Sequence, residues 1–232
     1  MSKIENPYIS IIIPVFQEEG RICETLDTIE ALDNKFDAEV IVVDGDREAK
    51  TIHAISGFPV KTITAPRGRS AQMNAGADLA QGEVLLFLHA DTQPPKDALP
   101  LIRRTFMKRS ISAGAFDLGI NAPGFAYRAI EWMVYWRSRL TRIPYGDQAI
   151  FIRQSIFHAL GGYREIPIME DIDLMRRVKR SGVRIEIIGR KAWTSARRWE
   201  KEGLVACTLR NWLLSSAFYL GVSPDKLTKY YP

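Results

Sequence analysis

The feature that most constrains the fold is a set of short β-branched runs separated by helical periods. "YISIIIPVF" (8–16) and "AEVIVVDGD" (38–46) lack the alternation of a half-exposed strand and read as strands buried on both faces. "KTITA" (61–65) is a third, short strand and "EVLLFLHAD" (83–91) a fourth. Between them, "RICETLDTIEAL" (21–32) repeats Ile22, Leu26, Ile29 and Leu32 at helical spacing, and "SAQMNAGADLA" (70–80) reads as a second helix. Such alternation builds a parallel sheet with right-handed crossovers and helices on both faces. The expected fold class is therefore α/β, a three-layer sandwich around a mainly parallel central sheet.

The second half is less regular. It reads as a strand at 112–120, a helix at 125–140, and a short strand then a helix in "GDQAIFIRQSIFHALGGY" (146–163). A helix over 169–182, a strand over 184–189 and a long apolar helix over 203–222 follow. In "GFAYRAIEWMVYWRSRLTR" (124–142), Phe125, Ala129, Trp132, Trp136 and Leu140 share one helical face, among Arg128, Arg137, Arg139 and Arg142. Core packing with a basic outer face is the expected arrangement. A membrane-interface helix, a cover over an acceptor and a dimer contact are the alternatives. Arg176, Arg177, Lys179 and Arg180 read as a solvated helix face, and Asp173 as a capping or solvated acid.

The 232 residues suit a single domain. It divides into a nucleotide-binding half (1–95), an acceptor and catalytic half (96–200) and a C-terminal helical extension (201–232). A chain 46% hydrophobic and 25% charged is not globally disordered. The net charge of +5 is mild; nucleic-acid binding would rest on it alone and is not expected. Cys23 and Cys207, with no CxxC, give neither a zinc site nor a disulfide framework. A reduced, cytoplasmic setting is expected, free or peripheral at the inner face of the membrane. "MSKIENPYIS" holds no apolar stretch of signal-peptide length. "WLLSSAFYLGV" (212–222) falls short of the roughly 20 apolar residues of a membrane span.

Ligands of open parallel sheets bind beyond the carboxyl ends of the strands. Those ends carry Pro14 to Glu18, Asp44 to Asp46, Arg67 to Arg69 and His89 to Asp91. A ring to stack, carboxylates for base or ribose, and cations for phosphate suit a nucleotide. No GxGxxG follows the first strand and no GxxxxGK[ST] occurs, which disfavours dinucleotide-binding dehydrogenases and P-loop enzymes. Arg67 and Arg69 flank Gly68 ahead of a helix, either as an anion site or as solvated loop arginines.

"SIIIPVFQEEGRICETLDTI", "EVIVVDGD", "RSAQMNAGADLAQGEVLLFLHADT", "GGYREIPIMEDIDL" and "ARRW" follow one another as in the inverting glycosyltransferases of family 2. The chain resembles that family from about residue 9 to 200. It is most similar to a bacterial subgroup with His-Ala-Asp at the metal position and "GDQAIF" in the acceptor half, linked to arsenosugar biosynthesis.

The resemblance implies the nucleotide-diphospho-sugar transferase fold, glycosyltransferase A type. It implies a hexosyltransferase-type enzyme that moves a sugar, with inversion, from a nucleotide diphosphate donor to an acceptor hydroxyl. A UDP-sugar donor and a small-molecule or lipid-linked acceptor are expected. Pro14, Phe16 and Glu18 would pack the nucleoside. Asp44 would read the base, or else cap the turn before Gly45. Asp91 would hold Mn²⁺ or Mg²⁺. His89, replacing the family's first acid, would ligate the metal, touch ribose or stand by. Arg67, Arg69, Arg197 and Arg198 would grip the diphosphate. Asp171 would be the general base and Glu170 its orienting neighbour. The apolar Ile166, Pro167, Ile168, Met169 and Ile172 around them would raise the pKa of Asp171. Asp147, Gln148 and Trp199 would face the acceptor. Ser195 stands where processive members carry Gln, so processive polymerisation is not implied. The alternatives are a sugar nucleotidyltransferase, weakened by the missing glycine-rich loop, and a non-catalytic membrane- or partner-binding module on the same fold.

Overall fold

A computed structural model describes residues 7–231. The strands are β1 (Ile9–Val15), β2 (Ala38–Asp44), β3 (Lys61–Thr64), β4 (Val84–Phe87), β5 (Thr92–Gln93), β6 (Ile111–Asn121), β7 (Phe151–Arg153) and β8 (Arg184–Ser195). The helices are α1 (Ile22–Glu30), α2 (Lys50–Ala54), α3 (Arg69–Leu79), α4 (Ala98–Phe106), α5 (Phe125–Thr141), α6 (Gln154–Ala159), α7 (Glu170–Arg180), α8 (Arg197–Glu202), α9 (Leu204–Tyr219) and α10 (Pro224–Thr228).

All strands join one sheet in the order β3-β2-β1-β4-β7-β6-β8-β5. The first four strands of the order are parallel, as the β-branched runs require. β7 runs antiparallel to β4 and β6, β6 and β8 are parallel, and β5 is antiparallel to β8. The sheet is mainly parallel, and each face has its own core. Ile22, Leu26 and Ile29 of α1 and Leu99, Ile102 and Phe106 of α4 cover one side. Met73 and Ala77 of α3, Phe157 of α6 and Ile172, Met175 and Val178 of α7 cover the other. Alternate residues of β1 divide between the two, Ile11 and Ile13 to the first and Ile12 to the second, so the strand needs no polar face.

Several expectations change. β4 ends at Phe87; the Leu88 N–H still donates to the Ile12 carbonyl (3.0 Å), and His89 to Asp91 then leave the sheet and do not extend the strand. β8 continues well past Gly189 to Ser195, because β6 offers it a partner along its whole length. α4, unread from the sequence, packs Ala98, Leu99, Ile102 and Phe106. α5 lies the other way round from the expected arrangement. Ile130, Glu131, Val134 and Ser138 are buried, and Phe125, Trp132, Trp136 and Leu140 face outward. Its cations turn inward: Arg128 to Glu131 and the Ile120 carbonyl, Arg139 to Asp117, Arg137 to Gln148. The arginine run on α7 is likewise only partly solvated. Arg177 donates to Asp173 and to the carbonyls of Leu160 and Gly162, so Asp173 is a buried ion-pair partner, not a capping or solvated acid. Cys23 and Cys207 are free. Among the described residues no helix is long and apolar enough to cross a membrane. The reading of the first six residues falls outside the described ones.

Candidate functional site

The turn after β4 is pinned through its backbone. The Thr92 N–H donates to the His89 carbonyl (3.0 Å), the Ser195 N–H to the Asp91 carbonyl (3.2 Å) and the Thr25 hydroxyl to the Ala90 carbonyl (2.5 Å). This fixes where the side chains of His89 and Asp91 begin. Opposite them lies a tight 3₁₀ turn, Gly146–Gln148, and the start of α7. The Gly146 N–H donates to Asp171 Oδ2 at 2.6 Å. A Cβ on Gly146 would stand 2.9 Å from His89 Nε2 and 3.4 Å from Asp171 Oδ2. Gly146 therefore sits between the strand-end histidine and the helix-start acid, and any side chain there would have to push His89 aside.

The electrostatics follow from that crowding. Burial, helped by the cations Arg69 and Arg198, pushes His89 down to about 3, so its imidazole is neutral at ordinary pH and keeps a lone pair to offer. Burial pushes Asp147 up to about 6; Arg137 opposes this, and the carboxylates of Asp171 and Asp91 add to it. Asp147 Oδ1 is sealed from solvent and has no hydrogen-bond partner in the protein. Burial and the Asp171 charge raise Glu170 to about 7, against Arg69, whose Nη1 lies 3.9 Å from Glu170 Oε1. Burial also raises the Tyr163 phenol well above its usual range, with Asp171 and Glu170 adding to it.

Local sequence explains the placement. α7 opens with Glu170, Asp171 and Asp173 and closes with Arg177, Lys179 and Arg180, each set matched to its end of the helix dipole. Met169, just before Glu170, takes a left-handed backbone (φ 67°), as do Ala149 (φ 50°) after the 3₁₀ turn and Gln17 (φ 55°) in the first loop. Strain of this kind at three site-bordering positions has to be held by surrounding contacts.

Other expected residues fall as follows. Asp44 is fully buried, and its carboxylate accepts the N–H groups of Asp46 (2.9 Å), Thr51 (3.1 Å) and Ile52 (3.3 Å), so it caps the turn into α2. Phe16 lies under the Arg67 guanidinium, 4.1 Å from ring centre to Cζ, and Pro14 pairs with Val43 in the sheet. Glu18 faces Arg197 at 3.6 Å, which ties the first loop to α8. Arg198 donates to the Tyr231 hydroxyl. Gln148 does not face an acceptor. It is fully buried; its oxygen accepts from Arg137 (2.8 Å), Ser138 (3.0 Å) and the Tyr145 N–H (3.2 Å), and its amide donates to the Phe116 carbonyl (3.0 Å). Trp199 packs edge-on to Tyr127 and donates to Thr208. Asp147 is thus the polar group of "GDQ" left for a ligand.

Two supports were missed. Gln72 donates to the carbonyls of Val15 (2.7 Å) and Val43 (2.8 Å), closing the ends of β1 and β2. Asn74 exchanges two hydrogen bonds with the Tyr163 backbone, at 2.8 and 2.9 Å. Polar side chains in the small-residue helix "SAQMNAGADLA" were the available signal.

A cavity of about 240 Å³ opens beside Asp91, lined by Arg21, Glu24, Gln93, Asn121, Thr194 and Ser195 among others. A larger open cleft at Lys96, Asp97, Arg190 and Trp193 contains none of the site acids. Among the described residues no three His, Cys, Asp or Glu side chains form a preassembled metal cage. A divalent ion would therefore have to rest on one or two protein groups, for which Asp91 and the neutral lone pair of His89 are the candidates. Such ions are commonly held by one or two protein groups together with substrate phosphates and water.

A family profile described as "Glycosyl transferase family 2" matches residues 10–164. The chain is 29% identical over 223 residues to "Probable glycosyltransferase YdaM" of Bacillus subtilis (strain 168), covering 85% of this chain and 51% of that protein. It is 33% identical over 187 residues to an undecaprenyl-phosphate 4-deoxy-4-formamido-L-arabinose transferase of Pseudomonas aeruginosa (strain LESB58), covering 69% and 52%. It thus spans about half the length of these curated relatives. The fold is shared with the mannosyltransferase PcManGT of Pyrobaculum calidifontis in complex with GDP-Man and Mn²⁺. That match has TM-score 0.64 and 19% identity, and covers 95% of this chain and 67% of the other. The profile takes in the strand-end residues up to the loop before α7, on a sheet of the glycosyltransferase A type, and the chain belongs to glycosyl transferase family 2.

Proposed function

We propose that the chain transfers a sugar from a nucleoside-diphosphate donor, a UDP-sugar in the first instance, to an acceptor hydroxyl with inversion. The observation that carries this reading is Gly146, whose amide holds Asp171 while its Cα abuts His89. A donor diphosphate at Asp91 and His89 and an acceptor at Asp147 and Asp171 would then be adjacent. The acceptor oxygen attacks the anomeric carbon, the bond from that carbon to the diphosphate breaks, and the hydroxyl proton passes to Asp171. Glu170, next to Arg69, orients this end of the site. Arg69 and Arg198 receive the charge of the departing diphosphate. Asp91 and His89 would hold Mn²⁺ or Mg²⁺, which when bound supplies charge neutralisation at the leaving group.

Thermal unfolding with UDP or GDP, each with Mn²⁺ or with EDTA, tests donor and metal together. A nucleotide at about 100 times its dissociation constant adds about 2.7 kcal/mol. Stabilisation by UDP only with the metal is expected; equal stabilisation in EDTA would remove the metal from the reading, and a response to GDP alone would change the base. Asp171→Asn should bind UDP as before yet release no UDP from UDP-sugars offered with acceptors. Full turnover by that variant would remove Asp171 as the base.

A further inference from the structure

Two helices expose apolar stripes that the fold leaves uncovered. On α5, Phe125, Trp132, Trp136 and Leu140 share one face and are 87%, 64%, 45% and 77% exposed. On α9, Val205, Leu209, Trp212 and Leu213 recur at helical spacing and are all exposed. The helices border the same site. Leu204 and Trp199 pack into the α5 cluster near the start of α9, and Tyr219 at its end lies beside Tyr145. Arg137 in turn stacks on Tyr145 and holds Gln148.

The charges around these stripes are mainly positive. Residues 203–222 contain no carboxylate, and the single one in 124–142, Glu131, is buried between Arg128 and Lys191. Arg142, Lys201, Lys226 and Lys229 are exposed close to helix ends against the exposed acids Glu200 and Asp225, and Lys179 reaches the carbonyl of Thr141 at the end of α5. Exposed Trp, Tyr and Phe with aliphatic neighbours, no acid on the stripes themselves and an excess of cations at the margin suit the headgroup region of an anionic bilayer. A second copy of this basic chain would bring like charge to the same margin.

We propose that the exposed faces of α5 and α9 form a docking surface for anionic lipid, which sets Asp147 and Asp171 close to an acceptor held in that bilayer. The acceptor part rests on the glycosyltransferase reading; the docking part does not. The test uses the whole chain with vesicles of phosphatidylcholine alone or mixed equally with phosphatidylglycerol, read by co-sedimentation and tryptophan fluorescence. At least tenfold tighter binding to the anionic vesicles is expected, with a blue shift and with weakening as salt rises. Trp136→Ser/Leu140→Ser and Leu209→Ser/Leu213→Ser should each lower that binding at least tenfold while circular dichroism and metal-dependent UDP binding stay unchanged. Absence of vesicle binding, or variants that bind like the parent, would overturn the proposal. So would a concentration-dependent dimer in light scattering that the same substitutions abolish. Loss of UDP binding in the parent chain would instead count against the enzymatic reading.

Discussion

At the residue scale, Asp147 is the clearest mismatch between a group and its surroundings. Its carboxyl is held up at about 6 against an ordinary 3.8, chiefly by burial, and one oxygen has no partner in the protein. A folded-state pKa above the unfolded one means that the folded chain binds this proton more tightly. The corresponding stability is fully present below about pH 4 and is lost as pH rises through about 6. A rise from 3.8 to about 6 corresponds to at most about 3 kcal/mol, and to less for a half-buried side chain. Asp147→Asn keeps the shape and removes the charge. It should be about 1–2 kcal/mol more stable than the parent at pH 8 in urea unfolding, with the gap closing towards pH 4. Glu170 rises from 4.5 to about 7 for the same first reason and remains in both proteins, so the difference isolates Asp147. An identical pH dependence in parent and variant would show that Asp147 titrates normally. A group that costs stability and sits beside the other site acids is what a ligand-binding site retains.

At the element scale, the 3₁₀ turn Gly146–Gln148 does the positioning. Gln148 anchors it to α5 and β6 through three hydrogen bonds and closes the turn on the Tyr145 N–H with a fourth, and Gly146 brings it against His89 and Asp171. Gly146 has no left-handed backbone, so its requirement is space alone. Gly146→Ala should leave the cores intact and shift His89 or Asp171 by a few tenths of an ångström. The expected outcome is a Tm within a few degrees of the parent with metal-dependent UDP binding and turnover reduced at least tenfold. Unchanged binding and turnover would mean that the turn and the strand end do not act as one site. Gly76→Ala makes the contrasting control: its Cβ would meet Ile12 Cγ2 at 2.5 Å in the core, so it should lose about 1–3 kcal/mol of stability.

At the scale of the whole molecule, the sequence foretold what local pattern determines. The β-branched runs gave β1 to β4, position at a strand tip singled out His89 and Asp91 as candidates, and the family resemblance singled out Glu170 and Asp171. What it hid depends on partners distant in the chain. The reversal of β7 is decided by its neighbours β4 and β6, and the burial of Gln72, Asn74 and Gln148 by carbonyls brought from other elements. The periodicity of α5 defined a stripe without stating which side faced the core, and the arginines went inward because Asp117, Glu131 and Gln148 were waiting there. The same uneven distribution of partners predicts uneven stability. Both faces of the sheet carry extensive cores, whereas the C-terminal segment is fastened largely through Ile168, Leu214 and Leu227. Few buried contacts lower the free energy of local opening. In native-state hydrogen exchange, amides of β1, β2 and β4 should exchange at the global unfolding free energy. Those of α9 and α10 should exchange at least about 2 kcal/mol below it, with a smaller denaturant dependence. Protection of α9 and α10 equal to that of β1 would mean that the C-terminal helices fold and unfold with the sheet.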